Sequence, residues 1–329
     1  MNKNESDVLI VGSGVAGLYC ALNLPSDKKV TIIAKTSLTD CDSYLAQGGI
    51  CVLKDENDYD SYFEDTMRAG HYLNNKASVD IMIRSSRDVI NDLIAYGTRF
   101  ERNEDGSLKY TREGAHSDKR ILFHQDITGK EITSHLLERV RERPNITLYE
   151  NTTMLDIITD YKNGSKEQRC SGVIASCPDS SPLTANEVVR TKDGKCIVAL
   201  YSKDVVWASG GIGGLFTHST NFPILTGDAL GIALNHNIPL RDPDYIQIHP
   251  TTLYSKKGGR AFLITESVRG EGGILLDKNG KRFVNELLPR DVVSNAIKEQ
   301  MKKDGTDYVM LSMEHIPVEE IKTHFIHIY

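Results

Sequence analysis

The sequence contains no run of like charges, no internal repeat and no low-complexity segment in its 329 residues, and its formal net charge is −6. Proteins that bind nucleic acid carry a basic patch or stripe, so nucleic acid is not an expected partner. The composition, 40% apolar and 26% charged, is that of an ordinary globular protein. A chain of this length can bury a large core, and it favours two domains over one.

Metal-site and disulfide patterns are also missing. No Cys-x-x-Cys pair and no paired Cys/His spacing occurs among the six cysteines, which are Cys20, Cys41, Cys51, Cys170, Cys177 and Cys196. The sequence therefore predicts no metal site, no disulfide framework and reduced thiols in the cytoplasm. No apolar run reaches membrane-spanning length. The apolar stretch Val8–Leu24 is not expected to be a signal peptide, because Glu5 and Asp7 offset Lys3 before it.

A glycine-rich loop lies near the N-terminus. The apolar run Val8–Val11 leads into Gly12-Ser13-Gly14-Val15-Ala16-Gly17, a Gly-x-Gly-x-x-Gly pattern that precedes a helix-like segment. In such units the first glycine permits a tight turn, the second lets the backbone approach a pyrophosphate, and the third lets the helix pack against the strand. The pattern predicts a dinucleotide site here. The alternative is a purely structural turn between a strand and a helix.

The acidic residue that holds the ribose in NAD-binding proteins is absent. The predicted second strand Val30–Ala34 ends at Lys35, where Asp or Glu is expected about twenty residues after the loop. A lysine at this position suits phosphate or adenosine contacts better than an NAD ribose.

Hydrophobic periodicity and turn signals outline the rest of the chain. They predict helices over Ala77–Tyr96, Thr128–Arg141 and Asp291–Lys303. They predict strands over 146–158, 170–176 and 195–207, with a turn at Asn163-Gly164, and a later hairpin turn at Asp277–Gly280. The three strands fit a small antiparallel sheet.

Three further segments combine glycine with polar residues. They are Asp42-Ser43-Tyr44-Leu45-Ala46-Gln47-Gly48-Gly49, Ala208-Ser209-Gly210-Gly211 and Thr226-Gly227-Asp228. Glycine lets the backbone approach a ligand closely, so these segments are expected to lie against a cofactor. A plain connection is the alternative for the first segment, and a helix cap is the alternative for Asp228.

In their order and spacing, these loops resemble those of the succinate dehydrogenase and fumarate reductase flavoprotein family, over essentially the whole chain. The resemblance implies an α/β fold with a Rossmann-like FAD-binding domain over residues 1–236. An inserted α+β capping domain would occupy residues 237–329 and be C-terminally truncated. Within the family, the chain is most similar to members that oxidise L-aspartate to iminoaspartate, with fumarate or oxygen as acceptor. These members act in NAD synthesis through quinolinate, and quinolinate synthase is the implied partner.

The resemblance also implies which residues contact FAD. They are the glycine loop from Gly12 to Gly17, Lys35, the loop Asp42–Gly49, the turn Ala208–Gly210, and Asp228. Membrane-bound members of the family attach FAD to a histidine, and Asp42 stands at that position here. We therefore expect FAD to be bound without a covalent link.

The implied dicarboxylate site contains His249 and Thr251 of a His-Pro-Thr motif, the pair Thr265 and Glu266, and Arg290 of Pro-Arg-Asp. Imidazole, hydroxyl and guanidinium groups suit carboxylates, and Arg offers a bidentate fork. Taken alone, His249 could be a hydrogen-bonded loop histidine and Arg290 a surface ion-pair partner. Arg290 also occupies the family's proton-transfer position, although its high pKa favours an electrostatic role.

Glu113, in Arg-Glu-Gly-Ala-His-Ser, is the residue that discriminates between substrates. It occupies the place where the aspartate-oxidising members carry a glutamate and the succinate enzymes an uncharged residue. A carboxylate there can pair with the amino group that succinate lacks. Ala115 departs from the family, which usually repeats glycine at this position. The alternative functions are a soluble fumarate reductase and a catalytically silent flavin-binding module.

The resemblance implies that family members continue past Tyr329 with a further flavin-contacting segment, a second substrate histidine and a second arginine. We therefore expect the chain as given to lack part of both sites, to retain little or no FAD and to be essentially inactive.

Overall fold

The structure, a computed structural model, describes residues 4–161, 168–185, 188–326 and 328. The predicted turn at Asn163-Gly164 lies outside these residues. In chain order the strands are β1 (Glu5–Val11), β2 (Val30–Ile33), β3 (Ile50–Cys51), β4 (Ile121–Leu122), β5 (Ile146–Tyr149), β6 (Thr153–Tyr161), β7 (Gln168–Pro178), β8 (Val189–Arg190), β9 (Lys195–Trp207), β10 (Ile274–Leu276) and β11 (Met310–Ser312). The α-helices are α1 (Val15–Asn23), α2 (Asp42–Leu45), α3 (Tyr59–Ala69), α4 (Lys76–Ala95), α5 (Thr128–Arg141), α6 (Asp228–Asn235), α7 (Glu266–Gly270), α8 (Arg290–Asp304) and α9 (Val318–His324).

The described residues form two compact units. The first contains the residues up to Leu45 and those from Ile132 to Pro243, and the second contains Ala46–Glu131 and the residues from Asp244 onward. This division differs from the predicted boundary between residues 236 and 237, because the internal segment Ala46–Glu131 is in the same compact unit as the C-terminal residues. The sequence shows no change of composition at Leu45 or Glu131, and the second of these boundaries falls inside α5.

The first unit is built on a seven-stranded sheet in the order β5-β2-β1-β9-β7-β6, with β8 paired to β9. Strands β5, β2, β1 and β9 are parallel, whereas β9, β7 and β6 are antiparallel. The antiparallel pairing predicted for the strands over 146–158, 170–176 and 195–207 is confirmed for β6, β7 and β9. These strands continue the parallel sheet, and the first predicted segment splits into β5 and β6. The thirteen-residue β9 pairs with β7 along Lys195–Tyr201 and with β1 along Tyr201–Trp207, so one strand joins both halves.

The core of the first unit follows from this sheet. All four residues of β2 are buried, as expected of an inner parallel strand that is covered on both faces. Leu9, Ile33, Val173 and Leu200, from four different strands, pack in one apolar cluster. The rigid sheet therefore fixes the positions of the loops at the carboxyl ends of β1 and β9.

Several local predictions are confirmed within a residue or two. The helix predicted over Ala77–Tyr96 is α4, and the Asn75 side chain caps it by accepting a hydrogen bond from the Ser78 amide. Helix α8 ends at Gly305, which adopts the left-handed conformation at φ 67°. In the predicted hairpin turn, Gly280 is also left-handed, at φ 75°.

The second unit contains two short sheets, β3 with β4 and β10 with β11, and a group of buried charges. The Arg120 side chain is 0% exposed and bonds Asp58 at 2.9 Å and Asp65 at 2.6 Å. Both aspartates are buried as well. Because a charge in the interior is costly unless it is paired, these three side chains must be buried together as one ion-pair network.

We predict that Arg120→Met destabilises the protein by about 3–5 kcal/mol, because it leaves Asp58 buried without a cation and Asp65 paired only with the half-exposed Arg68. Urea unfolding followed by circular dichroism measures this change. The matched control is Arg99→Met, since the Arg99 side chain is 72% exposed in its ion pair with Glu131 and should contribute little. Equal losses from the two substitutions would contradict a central role for the buried network.

Candidate functional site

The glycine loop of the first unit has the geometry that the sequence predicts. Gly12 has φ 114°, and a Cβ added to it would lie 2.1 Å from the Ala208 carbonyl oxygen. A Cβ on Gly17 would lie 2.1 Å from the Gly12 carbonyl oxygen. Gly14 precedes α1, whose first turn contains no acidic side chain. The start of this helix is therefore suited to an anion such as a pyrophosphate.

A cavity of ≈ 310 Å³ opens beside this loop, within the first unit. The predicted cofactor residues that line it are Gly12, Ser13, Gly14, Ala16, Lys35, Asp42, Ser43, Ala208, Ser209, Gly210 and Asp228. Val15, Gly17, Tyr44 and Leu45 lie in the same unit but do not line the cavity. The remaining predicted contacts, Ala46, Gln47, Gly48 and Gly49, belong to the second unit. Thr36, Ser37 and Thr152 also line the cavity, and no motif in the sequence marked them.

Lys35 connects two loops at the edge of this cavity. Its Nζ donates hydrogen bonds to the Ile224 carbonyl at 3.0 Å, to Thr226 Oγ1 at 2.8 Å and to Asp228 Oδ2 at 2.8 Å. Asp228 is the first residue of α6 and follows the cap residue Gly227, so it is not itself the cap. The lysine therefore fixes the loop before α6 and neutralises the carboxylate at its start.

Asp42, which replaces the family's attachment histidine, is also held by the protein. It accepts hydrogen bonds from the Asn221 side-chain amide and, at 3.1 Å, from the Phe222 amide. These bonds tie the start of α2 to the loop before α6.

The second unit contains a second group of predicted residues around Glu113. This carboxylate is buried and its Oε1 accepts bonds from the Gly49 amide at 3.2 Å and from Ser267 Oγ at 2.9 Å. Burial raises the pKa of Glu113, and the nearby Glu266 raises it further, although these hydrogen bonds and Arg290 act in the opposite direction. None of the ion pairs in the described part of the chain includes Glu113.

Glu266 holds two arginines at once. Its Oε2 accepts bonds from Arg290 Nε at 2.6 Å and Nη2 at 2.5 Å, and its Oε1 lies 3.1 Å from Arg269 Nη2. The Arg269 side chain is fully buried and donates to the Glu286 carbonyl at 2.6 Å. Burial lowers the pKa of Arg269. Sequence reasoning missed this residue, although it stands in the motif Arg269-Gly270-Glu271 three residues after Glu266.

A cavity of ≈ 620 Å³ in the second unit is lined by Glu113, Glu266 and Arg290. Arg290 Nη1 donates to Gln247 Oε1 at 2.6 Å, so the guanidinium lies at the wall with its orientation fixed. His71 and His116 line the same cavity, although neither was among the predicted site residues. The cavity thus combines one arginine with two buried carboxylates and two imidazoles.

The other three predicted substrate residues do not line this cavity. The Thr251 hydroxyl donates to the Ile264 carbonyl at 3.0 Å, and Thr265 caps α7 by accepting from the Ser267 amide. Burial and then Arg290 lower the pKa of His249 to about 4, so this imidazole is neutral at pH 7. His249 Nδ1 lies 3.1 Å from the Thr251 carbonyl oxygen and 3.2 Å from the Thr251 amide, so the Thr251 backbone offers a partner to either tautomer of the neutral ring.

Ala115 stands where the resemblance implies glycine, and its backbone conformation is one that favours glycine. It has φ 67°, the left-handed conformation that costs a residue with a Cβ about 1–2 kcal/mol. Its amide donates to the Leu287 carbonyl at 2.9 Å, which holds the loop in place.

In the residues that the structure describes, no group of three or more His, Cys, Asp or Glu side chains could hold a metal ion. Among the same residues no helix is long and apolar enough to cross a membrane.

Comparison with known proteins identifies related sequences along nearly the whole chain. The family model described as FAD binding domain matches residues 7–329. An L-aspartate oxidase of Clostridium perfringens is 47% identical over 328 residues, which are 99% of this chain and 70% of that protein. An L-aspartate oxidase of Clostridium acetobutylicum is 46% identical over 326 residues, again 99% and 70%.

Among solved structures, a variant of the E. coli quinol fumarate reductase is similar with a TM-score of 0.84 and 29% sequence identity. The similarity covers 98% of this chain and 56% of that one. This chain thus spans little more than half the length of that solved structure.

Proposed function

This chain belongs to the FAD binding domain family and, within it, to the L-aspartate oxidases, and we propose that it oxidises L-aspartate to iminoaspartate with FAD as its cofactor. The observation that carries the proposal is the state of Glu113. It is a buried carboxylate at a cavity wall, its hydrogen-bond donors Gly49 and Ser267 are neutral, and its pKa is raised. The ammonium group of an amino acid would supply the missing positive charge.

The residues of the first unit fit FAD. The glycines of the loop leave space that a Cβ would fill, and the first turn of α1 presents amides to a pyrophosphate. We propose that Ser13, Gly14 and Ala16 hold the pyrophosphate and that Ser43 and Ser209 make further contacts. Asp42 offers a carboxylate in place of the attachment histidine, so binding is non-covalent. When bound, FAD supplies the redox chemistry by accepting the hydride from the substrate Cα.

The residues of the second unit fit a dicarboxylic amino acid. We propose that Arg290 binds one substrate carboxylate while Glu266 keeps its guanidinium oriented, and that Glu113 binds the ammonium group. Thr251, Thr265 and His249 support this site through their bonds to the backbone. Because the buried carboxylates of Glu113 and Glu266 and the exposed one of Asp291 already line the cavity, a substrate without an ammonium group would meet uncompensated repulsion. This disfavours a fumarate reductase function.

The product iminoaspartate hydrolyses in water, so an enzyme that consumes it quickly is needed for NAD synthesis. We propose quinolinate synthase for this step and fumarate or oxygen as the electron acceptor. All six cysteines are free thiols, which supports the proposed cytoplasmic location.

The direct test is anaerobic addition of L-aspartate to the protein after incubation with FAD and gel filtration. For whatever fraction of the chain retains FAD, loss of the flavin absorbance is the expected result, since electrons have no other acceptor. The absorbance before aspartate is added also measures how much FAD this chain retains. Retained FAD that no dicarboxylate bleaches would contradict the proposal and favour a silent flavin-binding module.

We predict that Glu113→Gln weakens L-aspartate binding by about 10- to 100-fold, the effect of losing one hydrogen bond to a charged group. Succinate is the matched ligand control, because it has no ammonium group and should bind the variant at least as well. Equal losses for both ligands, measured by titrating the flavin spectrum, would refute the role of Glu113.

The raised pKa of Glu113 also predicts how the affinity for L-aspartate depends on pH, with and without this substitution. Only the carboxylate binds an ammonium group, so aspartate affinity should fall as pH falls through a value above the ordinary 4.5, and the variant should lose this dependence.

The raised pKa of Glu113 also predicts how folding stability depends on pH. Because the pKa is higher in the folded state than in the unfolded state, the free energy of unfolding falls as pH rises through the folded-state pKa. Glu113→Gln should therefore increase the free energy of unfolding at pH 7 to 8, measured in urea.

We predict that Arg290→Lys abolishes flavin reduction by L-aspartate and leaves FAD binding nearly unchanged. Lysine keeps the charge but cannot bond Glu266 through two nitrogens and Gln247 through a third, as Arg290 does. Stopped-flow absorbance measures the reduction, and fluorescence titration measures FAD affinity. A parallel loss of FAD would show that Arg290 is structural.

A further inference from the structure

His116 lies three residues after Glu113, on the same loop, and lines the same cavity as Glu113, Glu266 and Arg290. Hydrogen bonds hold this loop in place on both sides of His116. The Ala115 amide donates to the Leu287 carbonyl, and Asp65 Oδ2 accepts from the Ser117 amide at 2.7 Å and from Ser117 Oγ at 2.8 Å. The imidazole is therefore held at the cavity wall by the fold and not by a ligand.

Arg120 determines which ring nitrogen of His116 carries the proton. Arg120 Nη1 lies 3.3 Å from His116 Nδ1, and a guanidinium can only donate, so Nδ1 accepts and the proton sits on Nε2. Asp58 accepts from Arg120 Nε and Nη2, and Asp65 accepts from Nη1, so the fully buried guanidinium has a fixed orientation. Burial and the charge of Arg120 lower the pKa of His116, which keeps the imidazole neutral.

The Nε2 proton faces a weak partner in this structure. Nε2 lies 3.6 Å from Cys51 Sγ, and burial raises the pKa of that thiol to about 11. A neutral thiol is a poor hydrogen-bond acceptor, whereas a carboxylate oxygen is a strong one. A ligand carboxylate in the cavity would therefore replace the sulfur as the acceptor.

From these contacts we propose that His116 is a further substrate-binding residue, whose Nε2–H donates a hydrogen bond to a carboxylate of the bound dicarboxylic amino acid. The inference rests on the proposed function, because it takes L-aspartate as the ligand. Such a substrate brings two carboxylates into a cavity whose arginine is already shared between Glu266 and Gln247. His116 supplies a second donor without adding a charge that would pair with Glu113.

Three variants and two ligands test the proposal. His116→Leu removes the donor, His116→Gln keeps an N–H near the position of Nε2, and His135→Gln is the matched control on α5, where His135 pairs with Glu138 on the helix surface. The expected result is an affinity loss of about tenfold or more for both L-aspartate and succinate in His116→Leu, little loss in His116→Gln and none in the control. Loss for both ligands separates this role from that of Glu113, which concerns L-aspartate alone.

Nuclear magnetic resonance of protein labelled with ¹⁵N in histidine gives a readout that does not depend on turnover or on the folding of a variant. In the wild-type chain, the His116 signals should show a protonated Nε2 and an unprotonated Nδ1, and the Nε2–H signal should shift when L-aspartate or succinate is added. A proton on Nδ1, an unshifted signal with bound ligand, or unchanged affinity in His116→Leu would overturn the inference. If the wild-type chain binds neither ligand, the proposed function itself fails.

Discussion

The pairing of buried charges is the constraint on which the second unit depends. Asp58 and Asp65 are paired through Arg120, and Glu266 is paired with Arg269 and Arg290. Because an unpaired interior charge costs several kcal/mol, each of these groups requires the others to be in place. Glu113 departs from this rule, since its hydrogen-bond partners among the described residues are an amide and a hydroxyl. The proposed role of Glu113 follows from this difference, because the ammonium group of an amino acid would supply the positive charge.

The sequence predicted best those features that depend on neighbouring residues. The glycine loop, the cap of α4 and the left-handed glycines after α8 and in the hairpin turn each follow from local backbone geometry. It failed for contacts between residues far apart in the chain. Arg120 meets Asp58 and Asp65 across 62 and 55 positions, and no local pattern indicates such pairing. That the predicted antiparallel strands continue the parallel sheet was missed for the same reason, because β1 and β7, which both pair with β9, are distant from each other in sequence.

The predicted site residues divide in a similar way. Glu113, Glu266 and Arg290 come together at one cavity, whereas the hydroxyls of Thr251 and Thr265 bond the backbone. Residue type alone cannot separate these cases, since a threonine hydroxyl suits a carboxylate and a helix cap equally well. Lys35 shows the same ambiguity. Its position predicts a cofactor contact, and the structure uses its three donors to fix the loop before α6.

Placing His116 and Glu113 on one short loop links stability to specificity. The Arg120 network holds the loop from Ser117 onward, and the Ala115 amide holds its middle in a conformation that is strained for alanine. The strain and the burial of Glu113 both reduce stability, and the buried ion pairs offset them only while the network is intact. Loosening Arg120 would therefore release Glu113 and His116 together. The groups proposed here to bind the ammonium and a carboxylate lie on one loop, so in this proposal selectivity for an amino acid also depends on residues that do not contact the ligand.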